Sequence, residues 1–175
     1  MMQHIPLMDK NHIHRTIKRL AIQVWEELST NNELMIFGLN ERGFATAELL
    51  FDSLRNISSQ DIILHRYDIA DKGQKKPIPD CTEKAVLIVD DVIFSGKTMF
   101  NALSTICYSN EPTKVEVLTL VDRGHRMYPI QCGLTGICVP TKFGEHIEVI
   151  LENHQLDEVV LFLSLIHISE PTRPY

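Results

Sequence analysis

Two adjacent carboxylates, Asp90 and Asp91, mark the point of the sequence best suited to chemistry. Shortly after them comes a Ser-Gly-Lys-Thr segment, residues 95–98, which combines two hydroxyl groups with a glycine. Neighbouring carboxylates can accept hydrogen bonds from two adjacent hydroxyls of a sugar. Gly96 lets a ligand approach the backbone closely, and the free N–H groups of a helix that begins near Lys97 attract phosphate. The order of these residues predicts a site for a phosphorylated sugar.

The strand before the carboxylates must carry them to the edge of a sheet. Residues 85–89 read Ala-Val-Leu-Ile-Val, a run too short for an amphipathic helix and too apolar for an exposed strand. Such a run is typical of a central parallel strand covered on both faces. The ligand crevice of an open α/β sheet lies at the carboxyl ends of its strands, so we expect Asp90 and Asp91 to emerge there. A buried strand, an acidic turn and a helix cap formed by Ser95 or Thr98 would also explain the pattern. The apolar strand, the acid pair and the Ser-Gly-Lys-Thr segment occur together and in this order, which favours the sugar-phosphate site over that simpler explanation.

Strands and helices alternate along the chain, which indicates an α/β fold with a doubly wound, mainly parallel central sheet. Apolar residues at helical spacing predict a first helix over 9–29, with Asp9 or Asn11 as its N-cap. The remaining predicted elements are strands over 34–39, 61–67, 115–121, 147–150 and 159–162, helices over 44–54 and from about 97 to 107, and a polar loop over 69–84.

Length and composition narrow the class of protein. At 175 residues and 44% hydrophobic content, the chain is long enough for one domain with a substantial core. The net charge of −6 gives no general attraction to nucleic acid and favours a small-molecule enzyme. The four cysteines show no CxxC spacing, so we expect free thiols in a reducing compartment and a cytoplasmic location. No apolar run approaches the roughly 20 residues of a membrane helix, and the N-terminus lacks the apolar region of a signal peptide.

The last residues, 163–175, break with the pattern of the rest. Their sequence, LSLIHISEPTRPY, has neither strand alternation nor a helical stripe, and it resembles a translated sequencing adaptor. We therefore place the single domain at residues 1–162 and expect the tail to be non-native and mobile or loosely packed. The native C-terminal residues are then expected to be missing.

Residues 85–98 as a whole resemble the fingerprint for phosphoribosyl pyrophosphate in the type I phosphoribosyltransferases. The resemblance implies that Asp90 and Asp91 are catalytic, bind the ribose hydroxyls, and hold Mg²⁺ mostly through water or substrate. It also implies that the 5′-phosphate is bound by the residues that follow: Ser95, Gly96, Lys97 and Thr98.

A glycine-bracketed turn, residues 38–43, lies between the first predicted strand and its helix. Arg42 in this turn can offer a forked set of donors to a pyrophosphate, although an ordinary turn with an exposed arginine is an equal explanation. In type I phosphoribosyltransferases this turn is the pyrophosphate loop. The resemblance thus assigns pyrophosphate binding to Glu41, Arg42 and Gly43, with Arg42 also catalytic. A carboxylate that faces pyrophosphate would repel it, so we expect the Glu41 side chain to point away.

A second dense cluster, Leu-Val-Asp-Arg-Gly-His-Arg at 120–126, follows another predicted strand. Together with residues 64–68 and 136–141, it is similar to one branch of the family, the pyrimidine operon attenuator proteins that double as uracil phosphoribosyltransferases. The resemblance covers roughly residues 8–162 and implies a hood near 129–150 and a homodimer. It also implies a pocket for the nucleobase near Phe94, Asp122, Arg123, Arg126 and Val139.

The resulting hypothesis is transfer of 5-phosphoribose from phosphoribosyl pyrophosphate to uracil or a similar pyrimidine, with Mg²⁺ as cofactor. Purine members of the family carry an acid where this chain has Phe94, and an apolar ring cannot protonate a purine, although Phe94 is equally well explained as a core residue. Two alternatives stay open: a nucleotide-responsive, RNA-binding regulator that needs no catalysis, and a phosphoribosyltransferase for a purine or another base. Four cations of the first helix form either a solvated face or an RNA-binding stripe, namely Lys10, Arg15, Lys18 and Arg19.

Overall fold

The computed structural model describes residues 3–30, 33–69 and 77–163. Its elements in chain order are β1 (Gln3–Met8), α1 (Lys10–Leu28), β2 (Glu33–Leu39), α2 (Asn40–Arg55), β3 (Asp61–Tyr67), β4 (Ala85–Ile93), α3 (Lys97–Tyr108), β5 (Lys114–Asp122), β6 (Leu134–Cys138), β7 (Glu145–Glu152) and β8 (Gln155–Leu163). Most of the predicted tail, residues 164–175, lies outside the described residues, as does the centre of the predicted loop, residues 70–76. Leu163, the first residue assigned to the tail, is the last residue of β8.

Five parallel strands form the central sheet in the order β3-β2-β4-β5-β6, with β4 in the middle. Side chains alternate along β2, so that Leu34 and Ile36 pack with α1 and α2 on one face. Met35 and Phe37 pack with α3 on the other face. Helices therefore cover both faces of a parallel sheet, which confirms the predicted doubly wound α/β fold.

A second sheet, antiparallel and of order β1-β8-β7, packs into the same core as α1 and α2. The strands β7 and β8 are joined by Asn153 and His154, which both have positive φ, as a type I′ hairpin turn requires. β1 is an edge strand, and this position tolerates Pro6. The region predicted as a hood, residues 129–150, divides between the sheets, because β6 joins the parallel one and β7 the antiparallel one.

Two of the element boundaries that differ from the sequence-based expectation lie at the candidate site residues. β4 continues to Ile93, because its pairing with β5 continues past the apolar run, so the two carboxylates lie within the strand and not after it. α2 begins at Asn40, four residues earlier than predicted, so the expected pyrophosphate turn forms the first turn of this helix. Asn40 adopts a φ of 55°, a left-handed conformation that asparagine tolerates better than most residues.

The N-terminal helix supports the edge strand β6. Asp9 caps the helix, as predicted, by accepting a hydrogen bond from the His12 N–H at 2.7 Å. The Arg19 guanidinium donates to the Gly136 carbonyl at 2.7 Å, so this cation of the helix binds the protein itself. A side chain at Gly136 would overlap the Leu120 carbonyl oxygen, which explains the glycine there. None of the helices in the described ranges is long and apolar enough to cross a membrane.

Candidate active site

The carboxyl end of β4 carries a pair of carboxylates, of which Asp90 is buried and Asp91 half-buried. Asp90 is only 8% exposed, and its Oδ1 accepts a hydrogen bond from the Asp91 N–H at 2.9 Å. Burial, with a further contribution from the Asp91 charge, raises the pKa of Asp90 well above its ordinary value. Burial also raises the pKa of Asp91, in part opposed by a hydrogen bond with Asp90 and by the charge of Arg42. A pair of this kind favours a nearby positive charge, since a cation offsets the cost of keeping both groups ionised.

A small hollow of about 110 Å³ lies beside these carboxylates and is lined by Asp90 and by residues 92–99. Gly96, with a φ of 82°, is the N-cap residue of α3 and has no side chain to cap the helix. Ser95 Oγ accepts only a long hydrogen bond of 3.3 Å from the Lys97 N–H. The beginning of α3 thus directs weakly engaged N–H groups toward a hollow of anion size, as phosphate sites require.

A loop after β5, residues 123–130, fixes the shape of the hollow from outside. The N–H groups of Met127 and Tyr128 both donate to the Ser95 carbonyl, at 2.9 and 3.0 Å. The Arg126 guanidinium donates to the Phe94 carbonyl at 2.9 Å. These bonds hold residues 94 and 95 in place before any ligand binds.

A larger cavity of about 450 Å³ is also lined by Phe94. The Arg123 guanidinium carbon stands 4.3 Å from the centre of the Phe94 ring, a cation–π geometry. Arg123 also donates to the Thr141 hydroxyl at 3.1 Å and to the Glu145 carbonyl at 2.8 Å. Burial lowers the pKa of Arg123. The flat, cationic wall formed by Arg123 and Phe94 suits a planar ring with carbonyl oxygens.

The first turn of α2 packs directly against the end of β4. A Cβ atom at Gly43 would lie 2.9 Å from the Val89 carbonyl oxygen and 3.1 Å from Asp90 Oδ1, so only glycine allows this approach. Arg42 forms an ion pair with Glu148 of β7 at 2.5 Å. The Glu41 carboxylate lies 3.0 Å from His154 Nδ1 in the β7–β8 turn.

Residues 7–149 match the model of the phosphoribosyl transferase domain family. The chain belongs to the phosphoribosyltransferase family. Curated relatives named "Bifunctional protein PyrR" include one from Microcystis aeruginosa, 34% identical with 86% of this chain and 92% of the relative aligned. Another, from Fusobacterium nucleatum subsp. nucleatum, is 32% identical over 90% of this chain and 96% of that protein. These relatives confirm both the family and the branch that the sequence indicated.

Solved phosphoribosyltransferases share the fold. A hypoxanthine-guanine phosphoribosyltransferase from Bacillus anthracis superposes with a TM-score of 0.67 at 21% identity, covering 79% of this chain and 84% of that one. The hypoxanthine phosphoribosyltransferase from Trypanosoma cruzi, in complex with the product IMP, gives 0.66 at 17% identity, with 79% and 77% covered. At these identities the likeness shows the type I phosphoribosyltransferase fold alone.

Three residues predicted near the base do not line the larger cavity of this phosphoribosyltransferase. Asp122 Oδ2 pairs with the Arg126 guanidinium at 2.7 Å, and Asp122 Oδ1 accepts the Gly124 N–H at 2.8 Å. Val139 packs against the main core, and its N–H donates to the Asp122 carbonyl. These groups hold the 123–130 loop in place, whereas Phe94 and Arg123 face the cavity.

Several cavity residues fall within the hood predicted at 129–150, but the sequence did not assign them individually to the base pocket. Thr141 and Glu145 line the cavity and accept hydrogen bonds from Arg123. The His125 Nε2 atom lies 2.6 Å from the Thr141 carbonyl oxygen. Phe143 lines the cavity while 96% exposed. A large aromatic side chain in a polar loop, outside any apolar periodicity, was the available signal for Phe143.

The oxygen-rich end of β4 fits Mg²⁺. Within residues 3–30, 33–69 and 77–163 there is no cluster of three or more His, Cys, Asp or Glu side chains that could hold a metal alone. Mg²⁺ commonly binds one or two carboxylates and completes its shell with water and substrate phosphates. Asp90 and Asp91, whose mutual repulsion favours a cation, provide this arrangement.

Replacing Arg126 with lysine should lower the free energy of unfolding by about 1–3 kcal/mol, because a single ammonium cannot reach all the acceptors that the guanidinium binds. Those acceptors are the Ile130 and Phe94 carbonyls and the Asp122 carboxylate. Urea denaturation measures the change, with Arg15→Lys on the exposed face of α1 as the control. Equal stability of the two variants would contradict the structural role of Arg126.

Proposed function

We propose that this protein transfers 5-phosphoribose from phosphoribosyl pyrophosphate to uracil or a similar pyrimidine and releases pyrophosphate. The observation that supports this most strongly is that Phe94 lines both cavities, the small one at the start of α3 and the large one under Arg123. A nucleotide that spans both would place its phosphate on the helix N–H groups and its base against Phe94. The family shown by residues 7–149 supplies the class of reaction.

Each group of candidate residues has its own role in such a transfer. Departure of pyrophosphate leaves positive charge on the ribose ring, as in other glycosyl transfers. Asp90 and Asp91 accept hydrogen bonds from the ribose hydroxyls and stabilise that charge, and the start of α3 fixes the 5′-phosphate. Arg42 offers its donors to the pyrophosphate. Mg²⁺, when bound, neutralises the leaving group. We assign no general base.

The larger cavity favours a pyrimidine over a purine by its chemistry. Phe94 cannot protonate or donate a hydrogen bond to a ring nitrogen, and the Glu145 carboxylate accepts the Lys142 N–H at 2.7 Å. Arg123, by contrast, has N–H donors that suit the carbonyl oxygens of uracil.

Measuring pyrophosphate release with a panel of bases tests the proposal. We expect uracil to support turnover, while hypoxanthine, guanine and adenine do not. Release with a purine but not with uracil would show that the protein is a phosphoribosyltransferase whose acceptor is a purine. The absence of release with every base, in protein that is folded by circular dichroism, would overturn the proposed activity.

A second candidate is RNA-binding regulation, which the resemblance to the attenuator branch implies and which would be a second activity, as in relatives named "Bifunctional protein PyrR". Lys10, Arg15 and Lys18 are exposed on α1, although Arg19 is engaged with β6. Titration of a pyrimidine operon leader RNA over a salt series tests it, and binding that ignores both sequence and nucleotide would argue against it. We also propose a homodimer, on family resemblance alone.

A further inference from the structure

The second sheet holds the first turn of α2 by an ion pair and a second polar contact. Arg42 Nη2 lies 2.5 Å from Glu148 Oε1 on β7, and Glu41 contacts His154 in the turn after that strand. Both side chains of the Arg42–Glu148 pair reach solvent, with exposed fractions of 47% and 36%. Exposed ion pairs of this kind are weak and exchange partners readily.

Arg42 also lies next to the carboxylate pair, because its neighbour Gly43 packs against Asp90, where an added Cβ atom would lie 3.1 Å from Asp90 Oδ1. Arg42 is thus paired with Glu148, while its own helical turn borders the candidate site. A pyrophosphate bound beside Asp91 would carry more negative charge than one carboxylate and would present several oxygens to the arginine fork. Glu148 would then compete for Arg42 and would also repel the incoming anion.

We propose that Glu148 is a positioning residue that withholds Arg42 from pyrophosphate in the empty enzyme, so that substrate binding requires Arg42 to exchange one anion for the other. This inference rests on the proposed function, since it assigns Arg42 to the leaving group. Its consequence is that Glu148 weakens the binding of phosphoribosyl pyrophosphate and promotes release of the pyrophosphate product.

The test removes only the charge of Glu148. We expect Glu148→Gln to lower the KM for phosphoribosyl pyrophosphate and the calorimetric Kd of magnesium pyrophosphate by about two- to fivefold, with kcat unchanged or lower. Glu152→Gln removes an exposed carboxylate from the same strand and should leave both constants unchanged. In an Arg42→Gln background, Glu148→Gln should have little effect, because the partner that it withholds is gone.

The binding measurement separates this inference from the proposed function. If the wild-type protein released no pyrophosphate with any base, the proposed activity would be overturned. The Kd comparison needs no turnover, so it decides the role of Glu148 separately. An unchanged or higher Kd in Glu148→Gln would overturn the role of Glu148. So would an equal decrease in Glu152→Gln, because that decrease would reflect net charge alone.

Discussion

We expect the double variant Asp90→Asn, Asp91→Asn to lose at least about 100-fold in the rate of pyrophosphate release while folding normally. Asparagine keeps the size of each side chain but cannot offset a developing positive charge on the ribose. The loss should appear mainly in kcat, because the positive charge exists in the transition state and not in the bound substrate. Retention of full activity would contradict the role of the pair.

The same variant should be at least as stable as the wild type at neutral pH. Burial raises the pKa of both carboxyl groups above the value in the unfolded chain, so ionisation opposes folding. The free energy of unfolding of the wild type should therefore rise as pH falls from neutral through these raised values toward the ordinary value. Urea denaturation across this range should show that rise in the wild type and a smaller one in the variant. A variant clearly less stable than the wild type at pH 7 would contradict this reasoning.

Replacing Gly43 with alanine should damage both stability and turnover. The new Cβ would press on the Val89 carbonyl and on Asp90, and backbone atoms there cannot rotate away. We expect a loss of about 1–3 kcal/mol in the free energy of unfolding. Because the displaced turn carries Arg42 and contacts Asp90, we also expect about 100-fold slower turnover.

Gly133→Ala is the matched control for this substitution. A Cβ atom at Gly133 would meet nothing within 4 Å, so stability and turnover should stay close to wild type. If Gly43→Ala matched this control in both measurements, the close packing of α2 on the end of β4 would not be required for function.

The sequence predicted those parts of the site that are local in the chain. Residues 85–98 carry a buried strand, two carboxylates and a helix start in one continuous segment, and the structure brings Asp90 and Ser95 to one hollow. Here the order of residues alone dictates the geometry, because a parallel strand must deliver its next residues to the carboxyl edge.

Contacts between distant segments could not be predicted in this way. Arg42 and Glu148 are separated by 106 positions, and they meet only because the β7–β8 hairpin folds back over α2. β1 escaped prediction because a proline interrupts a short segment whose partner strand, β8, lies near the other end of the described chain. Arg126 was correctly placed after a strand, whereas Asp122 proves to be the last residue of β5. Their side chains bind each other, and sequence spacing does not reveal that choice of partner.

A crystal structure of the wild-type protein with phosphoribosyl pyrophosphate and Mg²⁺ would test the central claim most directly. We expect the 5′-phosphate within hydrogen-bond distance of the N–H groups of residues 96–98, and the ribose hydroxyls on Asp90 and Asp91. A ligand bound elsewhere, with the hollow at the start of α3 left empty, would contradict the account.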